Sequence, residues 1–267
     1  MRFDAYAGSI QGPDAGQVAH SIARDLGGIV AAGRPQRRCP HTLQVDVDGR
    51  QAAWVGFDKA NDAVYFEGKG ETSPDLVGSI RSAFPEHTAA RLDVCEDLEG
   101  EGVFDDLVAL VRAHKGDRVK GGFVALPDDP EDGRTWAAGV RGGVAYMRIY
   151  EAGKMRERRA LGRPHWVRPE WELRPHGARV KRAAARMSPL EVVGLTAWTQ
   201  RVSSVISGLQ VPRFEPDPRL YSHDKTTAYL ARTFRRHWQE MLTDHGSWEC
   251  IGRELQSIWN QDDLADS

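Results

Sequence analysis

The chain has 267 residues, 40% of them apolar and 28% charged, enough for one large buried core or a core with a small extension. Its 36 Lys+Arg against 38 Asp+Glu give a formal net charge of -2, so total charge does not single out a nucleic-acid partner. Cys39, Cys95 and Cys250 are odd in number and far apart, which argues against a disulfide framework and a cysteine zinc site.

Met1 to Tyr6 meets an acid at once and lacks an apolar h-region, and no apolar run approaches the ~20 residues needed to cross a bilayer. The expectation is a soluble, cytoplasmic protein without a membrane partner. Phe3 to Ile10 alternates like a strand. Asp14, with Gln17 three residues on, opens a helix that ends near Gly27-Gly28. Three β-rich runs follow, 42–47, 51–57 and 63–68, the first two joined by the turn residues Asp48-Gly49. Ser73-Pro74 reads as a helix start with serine as cap and proline at the first helical position, and Ser188-Pro189 repeats the device with Glu191 completing a capping box. Arg91 to Cys95 alternates like a strand. Val103, Leu107, Leu110 and Val111 recur at helical spacing before Gly116.

Four more strands are expected at 118–126, 134–139, 144–150 and 166–174, giving an α+β fold: an antiparallel central sheet flanked by helices. The prolines 212, 216 and 218 mark a linker, and helical segments at 228–242 and 248–258 form a small C-terminal extension. The division expected is a main domain over 1–208 and an extension over 209–267.

Several enzyme classes lack their signatures. Gly68-Lys69-Gly70 has Ala63 where a phosphate loop needs its leading glycine and Gly70 where it needs Ser/Thr, and neither G-x-S-x-G nor H-E-x-x-H occurs. Any metal is therefore expected on carboxylates. Charge is unevenly placed: 154–186 holds eleven Lys/Arg against three Glu, a run suited to phosphate contacts or to a solvated surface.

The most chemically loaded stretch runs from Gly133-Arg134-Thr135 through Gly139 to Arg148-Ile149-Tyr150-Glu151, then Gly153-Lys154 and Trp166-Val167-Arg168-Pro169-Glu170. With Arg91-Leu92-Asp93 and Glu96-Asp97 before it, Phe3-Asp4-Ala5-Tyr6 at the start and Ser188-Pro189-Leu190-Glu191 after it, this order resembles the replication initiation factor family, the rolling-circle initiators of plasmids and of filamentous or related phages. The resemblance covers about residue 1 to Leu209. It implies an enzyme that nicks one strand of a circular origin by tyrosine transesterification, keeping a 5′-phosphotyrosine and releasing a 3′-OH. Single-stranded or supercoiled origin DNA would be the partner, with host helicase and polymerase, and with self-association as a homodimer also open. Val140 and Gly143 stand where serines are usual in the family, and Ala152 where a lysine commonly follows the tyrosine-acid pair.

Tyr150 occupies the family's tyrosine position, with Tyr146 second, and strand alternation puts both on one face with Arg148, a cation able to grip phosphate. Asp93 with Asp97, where the strand continues that far, and Glu170 with Glu172 would share faces of two other strands and supply the all-oxygen ligands that suit Mg²⁺ or Mn²⁺; for Asp93 the competing role is an ion pair with Arg91. Arg141, Lys154, Arg168 and Arg174 are the expected DNA contacts, and the extension, with Arg232, Arg235 and Arg236 on a helix, is open to either origin recognition or self-association. Two other readings use the same residues: a non-catalytic, sequence-specific DNA-binding regulator derived from such an initiator, and a hydrolytic metal nuclease with water as nucleophile.

Overall fold

The computed structural model describes residues 1–36, 39–127, 129, 132–214 and 233–265. The chain forms two compact units, Met1–Glu215 and Pro216–Ser267, and the first holds an antiparallel sheet with helices over one face, an α+β fold as expected. Its strands are β1 (Arg2–Ile10), β2 (Ile29–Ala32), β3 (Thr42–Val47), β4 (Arg50–Asp58), β5 (Ala63–Lys69), β6 (Thr88–Cys95), β7 (Leu98–Glu99), β8 (Gly121–Ala125), β9 (Thr135–Gly139), β10 (Ala145–Tyr150) and β11 (Trp166–Leu173). They are ordered β2-β3-β4-β5-β1-β6-β11-β10-β9-β8, with β7 pairing beside β11. Sequence-distant β6 and β11 therefore lie side by side, joining the two halves of the unit.

The helices follow local signals. α1 (Ala15–Leu26) opens on the Asp14/Gln17 capping box and closes on Gly27 at φ 68°, the left-handed conformation that glycine tolerates. α2 (Ser73–Ala83) departs from expectation by one residue. Thr72 is its N-cap position, and the Ser73 hydroxyl donates to the Asp4 carbonyl instead of capping. A backbone acceptor on β1 outcompetes the helix's own N–H groups there. α3 (Val103–His114) is followed by α4 (Ala178–Ala184), α5 (Pro189–Val192) with the Ser188/Glu191 capping box, and α6 (Ala197–Ser207). In the second unit, α7 (Arg235–His245) carries Arg235 and Arg236, and α8 spans Trp248–Ala265. Arg232 lies outside the described residues.

Strand alternation divides the sheet chemically. Tyr6, Phe66, Leu92, Val94, Met147, Ile149, Trp171 and Leu173 face the helices and pack with Ile22, Leu76, Ile80 and Val111 in one core. The residues between them, Arg91 and Asp93 on β6, Arg148 and Tyr150 on β10, Glu170 and Glu172 on β11, point to the opposite face. Register aligns them: Arg148 lies opposite Glu170 across β10 and β11, and Glu172 lies opposite Asp93 across β11 and β6. Four or more charged side chains on the core face would each require a buried partner; on this face they find one another.

A β-bulge adds a further group. The register of β1 against β6 slips between Phe3 and Ala5, so Asp4 and Ala5, neighbours in sequence, both line the charged face. An extra residue that re-aims a side chain in this way is a recurrent device beside functional sites.

Candidate active site

On the charged face lies a cavity of about 350 Å³ lined by Asp4, Ala5, Lys69, Arg91, Asp93, Thr135, Arg148, Tyr150, Met155, Arg158 and Glu170. Tyr150, the last residue of β10, is buried, and its hydroxyl donates to Oε2 of Glu170 at 3.2 Å. The other carboxylate oxygen of Glu170 accepts from Arg148. One acid thus orients both the hydroxyl and the cation that sequence alternation places together.

Burial pushes the Tyr150 phenol up to about 12, against the partial relief of Arg168 and Arg158. A phenol so placed is almost wholly protonated near neutral pH and needs a base and cations to become a nucleophile. Glu170 is the adjacent acceptor. Tyr146 shares the face but lies four residues back along β10, opposite Glu172, and does not line the cavity.

The four expected metal ligands are distributed as follows. Asp93 and Glu170 line the cavity. Asp93 takes Nε of Arg91 at 2.8 Å and a second bond from the same guanidinium, so the ion pair weighed as its competing role is present. Burial raises the Asp93 carboxyl to about 6; Arg91 opposes the rise, and the charges of Glu170 and Glu172 add to it. Glu172 is turned to Arg174 at 2.7 Å and Arg91 at 3.2 Å, and these cations outweigh its burial and hold its carboxyl below the usual range.

Asp97 does not share a strand face with Asp93, because β6 ends at Cys95. Beyond the strand, Asp97 accepts from Arg168 at 2.6 and 3.0 Å and from the Trp166 indole at 2.7 Å. Those bonds outweigh burial and keep its carboxyl low.

Among the described residues no group of three or more His, Cys, Asp or Glu side chains is gathered to hold an ion alone. The cavity carboxylates, Asp4, Asp93 and Glu170, are nonetheless the donor type for Mg²⁺, which keeps several waters or phosphate oxygens as ligands. The residues present fit a hard divalent cation bound jointly with substrate.

The expected DNA contacts are scattered. Arg141 is exposed in the β9–β10 turn. Lys154 sits in a 3-10 turn, 3.2 Å from Glu151. Arg168 is 5% exposed and engaged by Asp97 and Asp4, while Arg174 is engaged by Glu172.

Sequence reasoning missed Asp4, Lys69, Met155 and Arg158 as cavity residues. Lys69 was legible, since β5 alternation puts it with Glu67; Asp4 was hidden by the bulge, and Arg158 lies in a non-periodic loop. The departure at Ala152 has a packing reason. Ala152 is fully buried in a small cluster with Tyr150 and Trp166, a position without room for a lysine.

The wall carrying Met155 and Arg158 depends on Gly153, where an added Cβ would lie 1.6 Å from the Arg163 carbonyl oxygen. Gly153→Ala is expected to displace this loop and to cut activity more than it cuts melting temperature. Activity and melting curves measured side by side check this, and an unaffected activity would show that the wall is dispensable.

Asp93 also predicts a pH signature. Because its folded-state carboxyl is raised from 3.8 to about 6, the native state holds a proton there that the unfolded chain has released. Its contribution to stability is therefore present at the acid end and falls as pH rises through this window. The melting temperature of Asp93→Asn relative to wild type is expected to climb between pH 5 and 7, to be read by calorimetry at each pH. A flat difference would refute the assignment.

No family model matches the sequence, and no curated protein does. Among solved structures, the rolling circle replication initiator protein from Geobacillus stearothermophilus superposes with a TM-score of 0.51 and 15% sequence identity, over 82% of this chain and 88% of that one. The likeness takes in most of both chains, and with the charged sheet face already described it establishes that this chain has the rolling-circle replication initiator fold.

Proposed function

We propose that the protein initiates rolling-circle DNA replication by nicking one strand of a circular origin with Tyr150. The observation that carries this reading is the Tyr150–Glu170–Arg148 constellation in a cavity that also holds Asp93, on the charged face of an initiator-type sheet. Similarity of fold alone would leave the chemistry open.

In this reading the Tyr150 oxygen attacks the phosphorus. Its bond to phosphorus forms as the bond from phosphorus to the 3′ oxygen breaks, and the phenol proton passes to Glu170. The 3′ oxygen leaves and takes a proton from solvent. Bond energy is kept in the phosphotyrosine, so no nucleotide cofactor is consumed. Arg148 holds a non-bridging phosphate oxygen and Lys69 and Arg91 add positive potential. Asp93 and Glu170 would hold Mg²⁺ or Mn²⁺, with Glu172 as a further donor; when bound, such an ion polarises the phosphate and stabilises charge on the leaving oxygen.

Arg141, Lys154, Arg168 and Arg174 are proposed to contact the DNA backbone, the latter two after exchanging carboxylate for phosphate. The non-catalytic alternative has no specific structural support, since the tyrosine and its acceptor are both in place. Incubation with single-stranded DNA of the replicon that encodes the protein tests the reading. A chelator-sensitive, covalent protein–DNA adduct is expected, and specific binding without any adduct would favour the regulator instead.

A further inference from the structure

Arg158 differs from every other arginine around the cavity. Arg91 is paired with Asp93, Arg148 with Glu170, Arg168 with Asp97 and Arg174 with Glu172. Arg158 has no ion pair among the described residues, and its Nη1, shielded from solvent, has no hydrogen-bond partner. A buried guanidinium nitrogen without an acceptor is costly to keep, so a fold that retains one at a polar cavity points to an anion that completes it.

Its position is fixed rather than incidental. The guanidinium carbon lies 5.9 Å from the Tyr150 ring centroid and 5.0 Å from that of Trp166, so two aromatic rings hold the cation beside the tyrosine. The loop that bears it is tied down on both sides. Arg159 reaches Asp132 at 2.5 Å, and Arg163 reaches Glu99 at 2.7 Å.

We propose that Arg158 is a catalytic residue of this site, its free Nη1 taking a non-bridging oxygen of the scissile phosphate as Tyr150 attacks. This rests on the reading of Tyr150 as nucleophile given above. Arg148 approaches from the strand, with its charge shared with Glu170, whereas Arg158 approaches from the loop with its charge undivided. The two cations would grip the phosphate from opposite sides and place phosphorus in line with the phenol oxygen.

The test uses the full-length protein and thymidine 5′-(p-nitrophenyl phosphate), a phosphodiester that needs no origin sequence. Attack forms the bond between Tyr150 oxygen and phosphorus and breaks the bond from phosphorus to the aryl oxygen. The phenol proton passes to Glu170 and p-nitrophenolate leaves, so the chain gains one thymidylyl group, read by mass and by absorbance. Wild type is expected to react once, and Tyr150→Phe not at all. Arg158→Ala should lower the single-turnover rate at saturating probe by about 100-fold. Arg158→Lys, or added guanidinium ion well below denaturing concentration, should restore part of it, which a merely structural role would not allow.

Normal reaction by Arg158→Ala with Tyr150→Phe inactive overturns this proposal alone. Reaction by Tyr150→Phe, or none by wild type, overturns the nucleophile reading. Arg158 is then decided by fluorescence anisotropy with a short oligothymidylate, whose affinity should fall about fivefold in Arg158→Ala and stay unchanged in Tyr150→Phe if the arginine holds phosphate. Equal binding by Arg158→Ala would overturn its role.

Discussion

Tyr150→Phe is expected to abolish the covalent protein–DNA adduct, lowering nicking by about 10⁴-fold or more, because no other group can take over the attack once the hydroxyl is gone. The fold should tolerate the change. The ring stays in its cluster with Ala152 and Trp166, and Glu170 keeps Arg148. Loss of the single hydrogen bond to Glu170 costs about 1 kcal/mol, a shift in melting temperature of roughly 2–4 °C for a domain of this size. DNA affinity should hardly change, since the hydroxyl carries no charge. Tyr146→Phe is the control: Tyr146 lies outside the cavity, and its loss should leave adduct yield intact. Adduct formation on the origin strand, with melting and binding measured alongside, checks all three. Retained adduct in Tyr150→Phe would remove the tyrosine from the mechanism.

Glu170→Gln is the second large effect. The amide keeps the size of the side chain and can still accept one bond, but it cannot accept the phenol proton and no longer offsets Arg148. Loss of a positioned base costs typically ~10²–10⁴-fold in rate. DNA binding should move the other way. Measured with chelator present, so that loss of a metal ligand plays no part, removing a negative charge from a cavity that must receive phosphate is expected to leave affinity unchanged or raise it. A slower chemical step with equal or tighter binding is a split that general destabilisation does not produce. Single-turnover rates and equilibrium binding on the same preparation measure it, and wild-type rates in Glu170→Gln would assign the base elsewhere.

Much of this site was legible because it is built on strands. Alternation alone places Tyr146, Arg148 and Tyr150 together, and Glu170 with Glu172, and the observed register sets Arg148 against Glu170. The adjacency of β6 and β11, which brings Asp93 to Glu172, is a pairing across more than 70 residues that no local pattern encodes. Asp97 failed the same logic because its strand stops two residues earlier; alternation predicts a face only while the strand lasts. Asp4 enters the cavity through a bulge, which breaks the period that reading depends on.

Arg158 shows a different limit. In sequence it is one of a dense basic run with Arg156 and Arg159, and composition makes the three equivalent. Only the folded loop separates them, leaving Arg156 exposed, pairing Arg159 with Asp132 and turning Arg158 between two rings. Among the helices, α4 and α6 lack the strong start signals of α1 and α5. α4 has no side-chain cap, and α6 rests on Thr196 alone, which accepts from the Thr199 N–H.

The central claim is that Tyr150 itself becomes bonded to DNA, and peptide mapping of the adduct tests it most directly. Trypsin cuts after Arg148 and Lys154, so the modified tyrosine should appear on the peptide 149–154, while 142–148, which holds Tyr146, remains unmodified. A nucleotide on the 142–148 peptide, on any other tyrosine, or on none while DNA is still cut, would contradict the account.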